Sequence, residues 1–323
     1  MIFPVRPFTY RKATSLTQAA QFLDAPDAVA LGGGTDLLVC IEEGLATPAT
    51  LVDLRALPGE ALAPQPDGGF RIAASTRVHD LATDPRIREQ FPALTQACDS
   101  VGSPALRHMG TIGGNLCQRP RCRYLRRGIS CFKNGGSSCP ARQGENQYHA
   151  ILDGGPCFVV HPSDPAVALL ALGAEIETRR GDVERRIPMA DFYVLPAQRI
   201  DRETVLEHGE FVTGVVLPGA ATAGRQFYRK LTQRGAWDFA LVSIAGARRT
   251  DGSVRIAMGG VSPRPWRVPE SVEEDVASGG LDEDSVLALA DRAFHDAKPL
   301  SKNEYKVAMG TSLLREALRE LAE

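Results

Sequence analysis

No stretch of the 323-residue sequence approaches the roughly 18 consecutive apolar residues of a membrane-spanning helix, so no membrane insertion is expected. Nor does either sign of charge dominate. The formal net charge is -2, which gives no electrostatic reason to expect a nucleic-acid or membrane partner. The start, from Met1 to Phe8, has no basic segment followed by an apolar one, so neither a signal nor a transit peptide is expected. The chain should therefore fold in the cytoplasm, and stay there unless a partner's signal exports it as part of a folded complex. Nucleotide motifs are missing too. No Gly-Lys dipeptide occurs, which excludes a P-loop. Leu37 stands where a G-x-G-x-x-G run starting at Gly32 would need its last glycine, which argues against a Rossmann dehydrogenase. There is no G-x-S-x-G and no evident carboxylate pair, so no catalytic residue is assigned to the chain itself. Only two tryptophans occur, Trp237 and Trp266, and both are expected in the core.

The segments that are present alternate. Ser15–Leu23 has helical spacing of apolar residues with Thr14 or Ser15 as N-cap, and Ala28–Leu31 is a short apolar run. That run ends in Gly32-Gly33-Gly34-Thr35-Asp36, after which Leu37–Glu43 reads as helix. A second strand-like run at Phe70–Ala74 is followed by helices at Val78–Ala82 and Ile87–Ala97, then by a second glycine-rich turn, Thr111-Ile112-Gly113-Gly114-Asn115. One such turn is weak evidence. Two of them can clamp a diphosphate from both sides, through backbone N–H groups and the Thr35 and Thr111 hydroxyls. Beyond His161-Pro162-Ser163-Asp164 come a helix, Ala166–Leu172, and strands at Glu175–Thr178, Val183–Ile187 and Phe211–Leu217. Residues 218–224 read as a linker. The last third has strands near Arg225–Leu231, Ala240–Ala247 and Val254–Met258, then helices Asp282–Phe294 and Tyr305–Leu321. That order predicts an α+β unit with helices on one face.

Seven cysteines are present, and Cys117, Cys122, Cys131, Cys139 and Cys157 crowd into one stretch of little periodicity. A long structureless loop inside a compact domain favours a bound group as its organiser. The spacing matches neither the C-x2-C pairs of structural zinc sites nor the common ferredoxin patterns. Spacing alone therefore leaves a metal cluster and free thiols both open, with Cys117 as a fifth candidate. The basic run Arg119, Arg121, Arg123, Arg126, Arg127 is either a solvated loop or, beside the cysteines with Lys133, a source of charge to offset thiolates. His108, His149 and His161 are expected as surface or capping residues.

Ala30-Leu31-Gly32-Gly33-Gly34-Thr35-Asp36-Leu37-Leu38, the block from Ser103 to Leu116, Pro162-Ser163-Asp164 and Tyr228-Arg229-Lys230-Leu231 resemble the FAD subunit of the xanthine dehydrogenase and carbon monoxide dehydrogenase family. The blocks run over nearly the whole chain. The resemblance implies an α+β fold: a two-part FAD-binding domain of the vanillyl-alcohol-oxidase (PCMH) type over residues 1–220, then a smaller α+β domain over 225–323. The insertion at about 117–157 resembles two branches that hold an extra 4Fe-4S cluster, the periplasmic-type aldehyde oxidoreductase and 4-hydroxybenzoyl-CoA reductase. The blocks around Gln118, Tyr148 and Ala297–Val307 look closer to the first. In that pattern the ligands fall on Cys122, Cys131, Cys139 and Cys157, with Cys117 left over.

By the same resemblance FAD lies against Ala30–Leu37 and against Gly110, Thr111, Gly113, Gly114 and Asn115. Asp164 makes a polar contact to it, Phe211 and Val212 pack on its rings, and Lys230 sits near the polar edge of the flavin. The implied activity is that of an oxidoreductase subunit. Substrate is oxidised in a large molybdenum-cofactor partner, electrons cross 2Fe-2S clusters in a small partner, and FAD passes them to an external acceptor. Two rivals stand beside it: a stand-alone flavin oxidase of the same fold, and a non-enzymatic metal-binding or scaffold protein.

Overall fold

The computed structural model describes residues 5–221 and 224–323. The first unit runs β1 (Thr9–Lys12), α1 (Leu16–Leu23), β2 (Ala28–Leu31), α2 (Leu37–Glu42), β3 (Thr50–Asp53). Its three strands are parallel in the order β1-β3-β2. The Ser15 side chain accepts from the Gln18 N–H and caps α1, whose Ala19, Ala20 and Leu23 bury against Val52 and Phe211.

The second unit begins with β4 (Leu62–Pro64) and β5 (Phe70–Ala73). Helices follow: α3 (Val78–Thr83), α4 (Pro85–Gln90), α5 (Pro92–Asp99), α6 (Pro104–Met109) and α7 (Ile112–Leu116). After the insertion, which contains α8 (Arg123–Arg126), come α9 (Asp164–Leu172), β6 (Glu175–Arg180), β7 (Val183–Pro188) and β8 (Phe211–Leu217). The strands form an antiparallel sheet in the order β4-β5-β8-β6-β7. The single helix expected over Ile87–Ala97 is two. Pro92 has no N–H to donate and its ring clashes with the preceding turn, so the chain stops at Phe91 and restarts with Pro92 as the first residue of α5.

The third unit carries β9 (Gln226–Leu231), β10 (Val242–Arg248), β11 (Val254–Gly259), β12 (Trp266–Arg267), α10 (Glu270–Ser278), α11 (Glu283–Ala293) and α12 (Tyr305–Ala322). Its antiparallel order is β12-β11-β10-β9. Helices were expected on one face of this sheet, and both faces are covered. α10 and α12 lie on one side, while α5 and α9 of the second unit lie on the other. Every residue of α9 is buried, which explains why its sequence is apolar all round and not amphipathic. Tyr228, Ala245, Ala247 and Ala257 of the third sheet belong to the second unit's core, so the two units share one apolar layer. The expected linker, 218–224, includes Thr222 and Ala223, which lie outside the described residues. Among the described residues no helix is long and apolar enough to cross a membrane.

The insertion has little regular structure: α8 and single 3-10 turns at Phe132–Asn134 and Pro140–Arg142. Its far end is fastened to the third unit. The N–H groups of Ile151 and Leu152 donate to the Val261 carbonyl at 2.9 and 3.0 Å, and both side chains join that unit's core. Lys306 of α12 is wholly buried there, its Nζ donating to the carbonyls of Gly260 at 2.7 Å and His149 at 3.2 Å. Burial pushes its ammonium down to about 7. From that pH up to the ordinary 10.5 the unfolded chain holds a proton that the folded chain has lost, so this residue makes stability rise with pH across the window. Lys306→Met is expected to flatten that rise. Urea midpoints of both proteins at pH 7 and about pH 9 check it, and parallel changes in the two would count against it.

Candidate functional site

A cavity of about 730 Å3 opens between the first and second units and reaches the β9–β10 hairpin of the third. It lies beyond the carboxyl ends of the parallel strands β2 and β3, where an α/β sheet leaves a crevice. Ala30, Gly32, Gly33, Gly34, Thr35, Asp36 and Leu37 line it from the first unit. Gly110, Thr111, Gly113, Gly114, Asn115 and Asp164 line it from the second, together with Phe211 and Val212 of β8. Leu31 is buried instead, and Lys230 stands one step behind the wall.

The two glycine turns touch. A Cβ on Gly33 would lie 1.9 Å from the Met109 carbonyl oxygen, and one on Gly32 would lie 2.6 Å from Thr111 Oγ1. Only glycine permits this approach. Thr111 Oγ1 accepts from the Gly114 N–H at 3.2 Å and caps α7, leaving its own proton for a ligand. Asn115 Oδ1 accepts from Ser163 Oγ at 2.5 Å, and the same Ser163 oxygen caps α9 by accepting from the Ala166 N–H. Asp164, next in line, accepts from Tyr228 at 2.6 Å and from Lys230 Nζ at 2.8 Å. Burial pushes the Asp164 carboxyl up, opposed by Lys230 and the Tyr228 hydroxyl. Lys230 also donates to the Ser100 carbonyl at 3.1 Å, so its charge reaches the cavity by way of Asp164.

Several cavity residues were not anticipated. Arg55 and Leu57 follow β3, and the carboxyl ends of parallel strands are the signal that marks them. Arg119 and Arg121 come from the basic run, of which only Arg123 and Arg127 are exposed: Arg121 pairs with Asp36 at 2.8 Å and lies 5.1 Å over the Phe239 ring. Trp237 is not core. It is 65% exposed, adopts φ 52° and faces the cavity mouth with Arg234 and Phe239. Trp266 is half-buried against the third unit's core. His108 is exposed and stacks on His79, whereas His149 and His161 are buried, against expectation.

The cysteines separate into two groups. Cys117 lines the large cavity, whereas Cys122, Cys131, Cys139 and Cys157 line a second, small one with Tyr124, Phe132, Lys133 and His149. His149 Nε2 lies 3.4 Å from the Cys122 sulfur. The Cys139 thiol is pushed down to about 6, first by a hydrogen bond from Cys157, whose own thiol is pushed up, and also by the N–H groups of Phe158, Ala141 and Arg142. Lys133, itself buried, donates to Glu203 at 2.9 Å behind this cavity. Among the described residues no group of three or more His, Cys, Asp or Glu is arranged to hold a metal ion.

Two glycine turns closed on one cavity, with apolar walls from Leu16, Leu23, Leu57 and Phe211 and polar ones from Asn115 and Asp164, form a crevice of the kind that suits a nucleotide cofactor. Comparison with known proteins identifies the cofactor. Residues 6–220 match the family described as FAD binding domain in molybdopterin dehydrogenase, and residues 198–321 match the CO dehydrogenase flavoprotein C-terminal domain. The aldehyde oxidoreductase FAD-binding subunit PaoB of Escherichia coli (strain K12) is 35% identical over 98% of both chains. The glyceraldehyde dehydrogenase medium chain of Sulfolobus acidocaldarius is 26% identical over 98% of both. A solved carbon monoxide dehydrogenase chain from Hydrogenophaga pseudoflava shares the fold, with TM-score 0.75 at 23% identity over 99% of this chain and 98% of that one. The chain belongs to the family of FAD-binding medium subunits of molybdenum hydroxylases. The close approach at Gly33 makes a direct prediction. Gly33→Ala forces the turns apart and is expected to weaken FAD binding about tenfold or more, equivalent to about 1.4 kcal/mol. A flavin titration of the stripped chain measures this, and unchanged affinity would place FAD elsewhere.

Proposed function

We propose that this chain relays electrons within a molybdenum hydroxylase of the aldehyde oxidoreductase type, and that its insertion holds a 4Fe-4S cluster on Cys122, Cys131, Cys139 and Cys157. The observation that carries the cluster is that these four thiols, from four separate segments of chain, line one small cavity while Cys117 lies on the other. A cubane cluster does not ask four ligands to converge on one ion. It asks for thiolates around a larger body, each bound to its own iron. Cys139, held toward its thiolate, and the cation of Lys133 suit such an anionic group.

FAD, when bound, supplies a group that takes electrons singly and releases them singly or in pairs. The chain's own residues hold and orient it. The backbone N–H groups of the two glycine turns would face its diphosphate, Phe211 and Val212 would pack on it, and Asp164, fixed by Tyr228 and Lys230, would present a carboxyl oxygen to it. The partners on this reading are a large molybdenum-cofactor subunit, which oxidises the organic substrate, and a small 2Fe-2S subunit. An external acceptor takes the electrons from this chain. The complex folds in the cytoplasm, and reaches the periplasm only if a partner's signal exports it.

The test is an anaerobic visible spectrum of the purified full-length chain with iron and sulfide assays. Flavin bands and about four irons and four sulfides per chain are expected, with the iron lost in Cys157→Ser. Flavin without iron would sink the cluster and keep the subunit. Reduction of the flavin by an aldehyde in the isolated chain would favour a stand-alone oxidase.

A further inference from the structure

α8 is a single helical turn that begins at a cysteine and ends at an arginine. The Cys122 carbonyl accepts from the Arg126 N–H at 2.9 Å, and the N–H groups of Tyr124 and Leu125 point at the Cys122 sulfur. The Arg126 side chain is 9% exposed, and every N–H of its guanidinium is engaged. Nε donates to the Pro120 carbonyl at 2.9 Å. Nη1 donates to Cys40 Sγ and to Glu43, both at 3.2 Å. Nη2 donates to Asp36 at 2.8 Å and to the Arg119 carbonyl at 3.0 Å.

Two of those acceptors bracket α2. Asp36 precedes its first residue and Glu43 follows its last, while Cys40 lies inside it. The Asp36 carboxylate makes no capping bond to its own helix. It accepts from Arg126, from Arg121 at 2.8 Å and from the Arg119 N–H at 2.7 Å. Asp36 also closes the turn Gly32–Asp36, which lines the FAD cavity. A rigid planar fork with no spare donor therefore grips both ends of the helix that follows the cofactor turn. The other end of the same helical turn is a wall of the cysteine cavity.

We propose that Arg126 is a positioning residue through which the cysteine insertion sets the shape of the FAD turn, so that filling the cysteine cavity governs how tightly the chain holds FAD. The second half rests on the cluster reading above. A group bound by Cys122 fixes the start of α8, α8 fixes Arg126, and Arg126 fixes α2 and the turn before it. The linkage is reciprocal: FAD, by settling the turn, must favour the insertion's filled state by the same factor.

The test titrates FAD into full-length chain stripped of flavin, once with iron and sulfide reconstituted and once after chelation, for the wild type, Arg126→Met, Arg126→Lys and Asp36→Asn. In the wild type, loss of iron is expected to weaken FAD about tenfold. Arg126→Met is expected to bind FAD as weakly whether iron is present or not, and Arg126→Lys to fall between. Arg126→Met and Asp36→Asn combined should weaken binding by less than the sum of their separate effects, because they share the Arg126–Asp36 contact. General damage to the fold would lower affinity but leave its dependence on iron in place, which would overturn the proposal. Iron uptake with unchanged FAD affinity overturns the coupling alone. A chain that takes up no iron overturns both the cluster and the coupling.

Discussion

The approach of Gly33 to the Met109 carbonyl, too close for any Cβ, is the constraint on which the cofactor site depends. It brings together two turns from units of different architecture, a parallel three-stranded sheet and an antiparallel five-stranded one. Neither turn encloses a cavity by itself. Side chains at this seam would hold the backbones apart and fill part of the cavity. Gly113 repeats the logic one layer deeper, where a Cβ would lie 2.9 Å from that of Ala74. The site is therefore specified by missing atoms, and its walls are backbone that cannot change rotamer.

A seam between two units needs something to stop it opening, and the insertion and third unit supply it. Arg119, Arg121 and Arg126 converge on Asp36, Arg119 and Lys133 share Glu203, and Arg121 carries the contact across to Phe239. Ion pairs as buried as Arg126–Asp36 and Lys133–Glu203 add little net stability over an apolar packing of the same shape, but removing one partner costs about 3–5 kcal/mol. Such a network specifies one arrangement of loops more than it stabilises it.

Much of this was legible because it is local. Ser15 before an amphipathic run, Ser163 before an apolar one, and glycines after short strands each act within one turn of chain, and the elements fall where those signals put them. The split at Pro92 is equally local: the proline ends one helix and opens the next, although apolar spacing runs through both. The rest was not local. The short edge strands β1 and β12 have no apolar pattern of their own and exist because a neighbour's backbone is there to pair with. Trp237 was assigned by composition, yet its place outside the core follows from the tight hairpin in which Asp238 accepts from the N–H groups of Gln233, Arg234 and Phe239. His149 and His161 carry no sequence signal of burial, since what buries them is the third unit and Tyr193 respectively.

The cysteines show what spacing does not convey and the fold does: which thiols share one cavity. Motifs such as C-x2-C are readable because one knuckle of chain supplies a pair of ligands. Here Cys122, Cys131 and Cys139 each stand immediately before a separate helical turn, and Cys157 lies in irregular chain beyond them. The first N–H groups of a helical turn have no partner within it, so each of those three positions offers donors to a sulfur that carries charge. Cys139 has that benefit from Ala141 and Arg142, and Cys122 from Tyr124 and Leu125, although burial still holds Cys122 above its ordinary value. The regularity is thus one of local geometry and not of interval. Three of the four thiols are matched each to its own turn, and the intervals between them are free to be whatever the connecting loops require.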